Sequence, residues 1–185
     1  MSTSNEPRSP EHSESAHWGH RTSTLDSFLW EEAPSLDKNL ILSLAKCDFI
    51  AARQNVIFCG PIACGKSHLA NSLADLALQA GYSVNLVDGP RLDVRFSWQS
   101  CLESYLIDCD LLVVDDPRPT EQLREILKQR RNRSTLLVSN RPAAELLEAL
   151  MPREVRFDPL RETWISPVVV EFKENGYGLK LRSQR

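Results

Sequence analysis

The chain contains no long hydrophobic run: one of its most apolar stretches, Leu111 to Val114, is far short of the roughly 20 residues a bilayer-spanning helix requires. Its first residues also lack the apolar segment of a secretory leader. Metal-type cysteine spacing is missing as well: the five cysteines form neither CxxC nor a zinc-ligand pattern, and their odd number does not suggest a disulfide framework. There is no excess of positive charge. The formal net charge is -3, so no global field draws the chain onto nucleic acid, and any such contact needs a local patch. Together these absences predict a cytoplasmic protein without a membrane partner. The 185 residues, 42% hydrophobic and 25% charged, suit one globular unit.

Residues 1–23 are rich in Ser, Glu, Pro and His and contain no Val, Ile or Leu to bury, which predicts a flexible tail ahead of a domain spanning 24–185. His12, His17 and His20 lie in that tail with no thiolate or rigid scaffold, and they read as solvated side chains. Beyond it, "SLDKNLILSLAKCDFIAAR" places Leu36, Leu40, Leu44 and Cys47 on one helical side, with Ser35 as the expected cap. "NVIFCG", "YSVNLVD", "DLLVVDD" and "STLLVSN" read as strands. Helices are expected over "KSHLANSLADLALQAG" and around 99–107, 121–129 and 143–150. Alternating strands and helices, with nearly continuous apolar strands, predict an α/β fold whose mostly parallel, five-stranded sheet is covered on both faces. The last stretch, "PVVVEFKENGYGLKLR", reads as two strands joined at the turn "ENGYG".

Between the first expected strand and the helix after it stands "GPIACGKS", in which Gly60, Gly65, Lys66 and Ser67 match G-x-x-x-x-G-K-[ST]. Four fixed positions match by chance in roughly one chain of this length in a hundred, and the flanking strand and helix make coincidence rarer. Glycines let the loop turn its amides inward, and the unpaired N–H groups at the helix start complete a cradle for phosphate. Lys66 would meet the β- and γ-phosphates and Ser67 would face Mg²⁺. The expected nucleotide-binding set is therefore Gly60, Pro61, Ile62, Ala63, Cys64, Gly65, Lys66, Ser67 and His68. Cys64 reads as a small filler, with a redox-sensitive thiol as the alternative.

"DLLVVDD" ends an apolar strand on two acids, where a metal-bound nucleotide needs them. Asp115 is the expected Mg²⁺ carboxylate together with Ser67, and Asp116 the group that orients or deprotonates water. Asn140 reaches the same sheet edge and could hydrogen-bond the γ-phosphate or water. In "EQLREILKQRRNRS", Arg124, Lys128, Arg130, Arg131 and Arg133 form a basic cluster that could grip phosphates or equally end a helix in solvent.

These motifs resemble the DnaA, DnaC and IstB branch of the AAA+ ATPases over about residues 24–182. "TLDSF" resembles the leading segment of DnaA-type proteins, "QNVIFCGPIACGKSHLA" the phosphate-loop region of IstB and DnaC, and "LLVVDD" the DnaA acidic strand end. The resemblance places Asn140 at sensor 1 and "RETW", at 161–164, at box VII. It implies an ATP and Mg²⁺ site completed in a homo-oligomer by Arg161, with Arg156 as the alternative finger, and it marks Lys66, Asp115, Asp116, Asn140 and Arg161 as catalytic. It also implies a DNA, replication or transposition partner. Ala63 and Pro117 depart from the family pattern, as does the short stretch between Asp115 and Asn140, so slow or absent hydrolysis is expected. No helical lid, partner-binding domain or DNA-reading domain is expected. The function implied is a weak ATPase whose nucleotide state controls assembly. The alternatives are a small-molecule kinase, against which Asn140 and "RETW" argue, and a nucleotide-sensing adaptor without turnover.

Overall fold

The computed structural model describes residues 23–95, 100–151, 160, 162, 164 and 166–173. The tail expected over the first residues and the second strand expected after "ENGYG" lie outside them.

Helix α1 (Lys38–Leu44) and helix α2 (Asp48–Ala51) precede strand β1 (Val56–Cys59) and helix α3 (Lys66–Gln79). Next come strand β2 (Val84–Asp88), helices α4 (Gly89–Arg95) and α5 (Ser100–Asp108), and strand β3 (Leu111–Asp115). Helix α6 (Glu121–Gln129), strand β4 (Ser134–Ser139), helix α7 (Ala143–Leu150) and strand β5 (Val168–Glu171) complete the order. The five strands lie in the order β2-β3-β4-β1-β5, and every pair is parallel. β1 and β3 therefore sit on either side of β4, which brings the three carboxyl ends together.

Successive residues of a strand point to opposite faces, and here both faces are covered. Val56, Phe58, Leu136 and Val138 join Ile41, Leu44, Leu69 and Leu73 in one cluster. Ile57, Leu137, Leu112 and Val114 join Leu123, Ile126, Leu127 and Leu146 in the other. The apolar runs of β1, β3 and β4 have no polar face because neither side of these strands meets water.

Local chemistry explains two departures from the expected elements. The single helix expected before β1 is two short ones, because Cys47 adopts a left-handed backbone (φ 63°) between them. The cap of α1 is Asp37, whose carboxylate accepts from the Leu40 amide at 3.1 Å, rather than Ser35. Helix α3 stops where expected: the Gly81 and Tyr82 amides donate back to Leu78 and Ala77, both at 3.0 Å.

Among the described residues, no helix is long and apolar enough to cross a membrane.

Candidate nucleotide site

The chain leaves β1 at Gly60, whose amide donates to the Ser139 carbonyl at 3.2 Å, so the loop and the end of β4 are fastened together. Gly60 has φ 147°, and a Cβ there would lie 2.2 Å from the Phe172 carbonyl oxygen. Only glycine fits where the chain beyond β5 passes so close. Pro61 is half-buried, Ile62 projects into solvent at 75% exposure, and Ala63 holds a left-handed φ of 62°. That conformation costs a non-glycine residue on the order of 1 kcal/mol and is retained at the turn of the loop. Gly65 caps α3 with φ 97°.

Among the described residues, no amide from Ile62 to Ser67 donates a hydrogen bond within the fold. A run of unpaired N–H groups at the start of a 14-residue helix concentrates positive potential and fits an anion. Inside this run the Lys66 ammonium, 5% exposed, donates to the carbonyls of Gly60 at 2.9 Å and Pro61 at 2.6 Å, with the Cys64 sulfur at 3.5 Å. The lysine is thus folded onto its own loop. Cys64 is buried and fills the space under the loop.

Ser67 stands on the first turn of α3 and donates its hydroxyl to Asp115 Oδ2 at 2.7 Å. Burial pushes the Asp115 carboxyl above its ordinary pKa, while the Ser67 hydrogen bond and the Lys66 charge pull it back. Hydroxyl and carboxylate oxygens converging beside an anion cradle form a hard donor pair, and this chemistry fits Mg²⁺. Asp116 is exposed; its left-handed backbone (φ 53°) and its amide bond to Val138 O, at 2.9 Å, turn the chain away directly after Asp115. Asn140 is exposed one residue beyond β4. The structure thus brings Gly60 to Ser67, Asp115 and Asn140 to one sheet edge.

His68 faces elsewhere. Its Nε2 lies 3.0 Å from the Thr24 carbonyl and 3.2 Å from Ser27 Oγ, and its ring meets Phe28 edge-on. It ties the "TLDSF" segment to α3. Arg161 and Arg156 lie outside the described residues, although Leu160 and Trp164 on either side of Arg161 are buried in the second core cluster.

The basic cluster expected around α6 does not form a free cationic face. Arg130 is 1% exposed and donates to the carbonyls of Leu106, Ile107, Cys109 and Ser134 and to Thr135 Oγ1. Arg124 donates to the Leu150 carbonyl at the end of α7 and pairs with Glu121. Lys128 lies beside Glu121 and Glu125, and Arg133 beside Asp108 and Asp110. Helix ends and acids engage these cations, which leaves Arg131 as the exposed member.

Two features of the site were missed in the sequence. Asp88 lies directly beside Asp115 in the sheet register and pairs with Arg91 at 3.3 Å. Helix α4 begins at Gly89, where a Cβ would lie 2.2 Å from the Asp116 carbonyl oxygen. The Gly-Pro pair at 89–90 was a usable signal, since proline favours the first turn of a helix.

A family model described as IstB-like ATP binding protein matches residues 6–151. The protein described as an ATP-binding protein of insertion sequence IS1162 from Pseudomonas fluorescens is 32% identical over 125 residues, which cover 60% of this chain and 54% of that protein. Its counterpart from IS232 of Bacillus thuringiensis subsp. berliner is 29% identical over 130 residues, covering 63% and 52%. The chain therefore spans about half the length of these relatives. Among solved structures, the DnaC helicase loader superposes with a TM-score of 0.56 at 18% identity, covering 74% of this chain and 90% of that one. DnaA bound to AMPPCP and single-stranded DNA superposes with a TM-score of 0.61 at 17% identity, covering 87% and 55%. The fold is that of an AAA+ P-loop core.

Proposed function

From the premise that this chain belongs to the IstB-like ATP binding protein family, we propose that it binds ATP in the 60–67 loop and that the bound nucleotide controls its assembly with DNA or with a transposition or replication protein. The observation that carries this reading is the row of unpaired amides from Ile62 to Ser67 beside the Ser67–Asp115 pair. The amides receive the phosphates. Lys66 exchanges the carbonyls of Gly60 and Pro61 for phosphate oxygens, a change within reach of its long side chain. Ser67 and Asp115 would hold Mg²⁺, which supplies positive charge against the phosphate oxygens. Asn140 faces the terminal phosphate from the end of β4. Asp116 orients water, and Arg161 completes the site of a neighbouring copy, where its charge would stabilise the transition state.

A second reading, a nucleotide sensor without turnover, is favoured by one specific feature. Asp116 is fixed in a left-handed turn immediately before Pro117, and that turn draws its backbone toward α4.

The test combines ATP binding, turnover and sedimentation for wild type, Lys66→Ala and Arg161→Ala, each with and without single- and double-stranded DNA. Lys66→Ala is expected to lose binding. Arg161→Ala is expected to keep binding and lose turnover or assembly; wild-type behaviour of Arg161→Ala in both assays would remove it from the site. Binding and nucleotide-dependent assembly without turnover would select the sensor reading.

A further inference from the structure

We infer that Arg141, one residue beyond Asn140, contacts the terminal phosphate of the nucleotide bound to its own loop and makes the site prefer a triphosphate to a diphosphate. Arg141 thereby joins the nucleotide site proposed above, on which its role rests, although no sequence motif singles it out.

β4 is hydrogen-bonded to β1 on one side and to β3 on the other, so the residues after Ser139 emerge between the phosphate loop and Asp115. The turn is fastened on several sides. Ser139 O accepts from the Gly60 amide at 3.2 Å, and Ser139 Oγ accepts from the Arg141 amide at 3.0 Å. Pro142 (φ -54°) then leads into α7. The backbone carrying Arg141 is therefore held to the first residue of the loop through Ser139. A cation on so fixed a base needs little reorganisation to meet a ligand.

The cations of α6 and of the turn after it are engaged by carbonyls and acids, apart from Arg131. Arg141 differs: it is exposed, and among the described residues no carboxylate or carbonyl accepts from its guanidinium. Lys66 and the amides hold the part of the ligand nearest α3, whereas a charge at the end of β4 comes from the neighbouring strand, beside Asn140. A guanidinium offers paired donors that match phosphate oxygens. A triphosphate carries its additional charge at the outer end, and a diphosphate does not extend to it.

The test measures equilibrium binding of Mg-ATP and Mg-ADP to the full chain for wild type, Arg141→Ala and Arg141→Gln. One charge-assisted contact corresponds to about a tenfold change. In both variants Mg-ATP affinity should fall about tenfold while Mg-ADP affinity changes less than about twofold. Arg141→Lys should recover part of the loss. Equal weakening of both nucleotides, or no change in either, would overturn the assignment. So would a loss of single-stranded DNA binding with ATP affinity intact, since the arginine would then be reading a different phosphate. Failure of wild type to bind either nucleotide would instead defeat the nucleotide-site reading itself, an outcome distinct from the others.

Discussion

Ser67 and Asp115 come from elements 48 positions apart and meet at 2.7 Å, the hydroxyl on the first turn of α3 donating to the carboxylate at the end of β3. This bond closes the gap between loop and sheet and offsets part of the cost of burying the carboxylate. Ser67→Ala should therefore have two consequences. The unliganded protein should lose about 1.5–3 kcal/mol in a denaturant titration, the usual worth of a hydrogen bond to a charged group. The ratio of ATP affinity with Mg²⁺ to that with a chelator should fall roughly tenfold, because one of the two oxygens proposed to hold Mg²⁺ is gone.

Arg130 should prove essential to the fold and irrelevant to ligands. It is buried with its guanidinium spread over carbonyls at the end of α5, between α5 and β3, and at the start of β4. Truncation to Ala takes a donor from each of these buried acceptors, at about 1–3 kcal/mol for any left unpaired where water cannot reach it. Arg130→Ala should lower unfolding free energy by at least about 3 kcal/mol. Under conditions where the variant remains folded, its ATP and DNA binding should match wild type.

Gly89 should not tolerate a side chain. Its hypothetical Cβ falls 2.2 Å from the Asp116 carbonyl oxygen, which is backbone and cannot swing aside. Gly89→Ala should cost about 1–3 kcal/mol of stability, as overpacking does. Because the pressure falls on the residue after Asp115, any turnover should decline more than ATP affinity does. Calorimetric binding and phosphate release on the same sample separate the two.

Asp110 gives a pH signature. Hydrogen bonds from the Ser83 hydroxyl, at 2.6 Å, and from the Ser83 amide, at 2.9 Å, hold its carboxyl below the ordinary range, with Arg133 adding a smaller pull. A carboxyl whose pKa is lowered by folding contributes stability above its unfolded pKa and loses it as pH falls through the folded value. Wild type should exceed Asp110→Asn in thermal stability at neutral pH, and the margin should close below the ordinary carboxylate range. The group is partly exposed, so added salt should weaken the Arg133 contribution more than the Ser83 one.

Much of this layout was legible in the sequence. The helices expected around 121–129 and 143–150 are α6 and α7, and the apolar runs ending at Cys59, Asp115 and Ser139 marked the core strands. Hydrophobic periodicity records which residues are buried, so it carried through. Asp115 and Asn140 were singled out because they end such runs, and the structure places both at the carboxyl edge of the sheet. What failed depended on backbone detail or distant partners. Nothing local in "LAKCDF" announced that Cys47 would take a left-handed turn, and Asp37 and Ser35 are both residues that cap helices. The fate of Arg124 and Arg130 was set by carbonyls on other helices, which a sequence pattern does not show. The close passage of Gly89 over Asp116 is likewise a tertiary contact, although the Gly-Pro pair at 89–90 was a local signal for the start of α4.

The most direct measurement is titration of the wild-type chain and of Lys66→Ala with Mg-ATP by calorimetry. Unpaired amides and one ammonium converging on a triphosphate predict saturable, one-to-one binding by wild type that Lys66→Ala loses. Absence of binding by wild type, or equal binding by both proteins, would contradict the phosphate cradle.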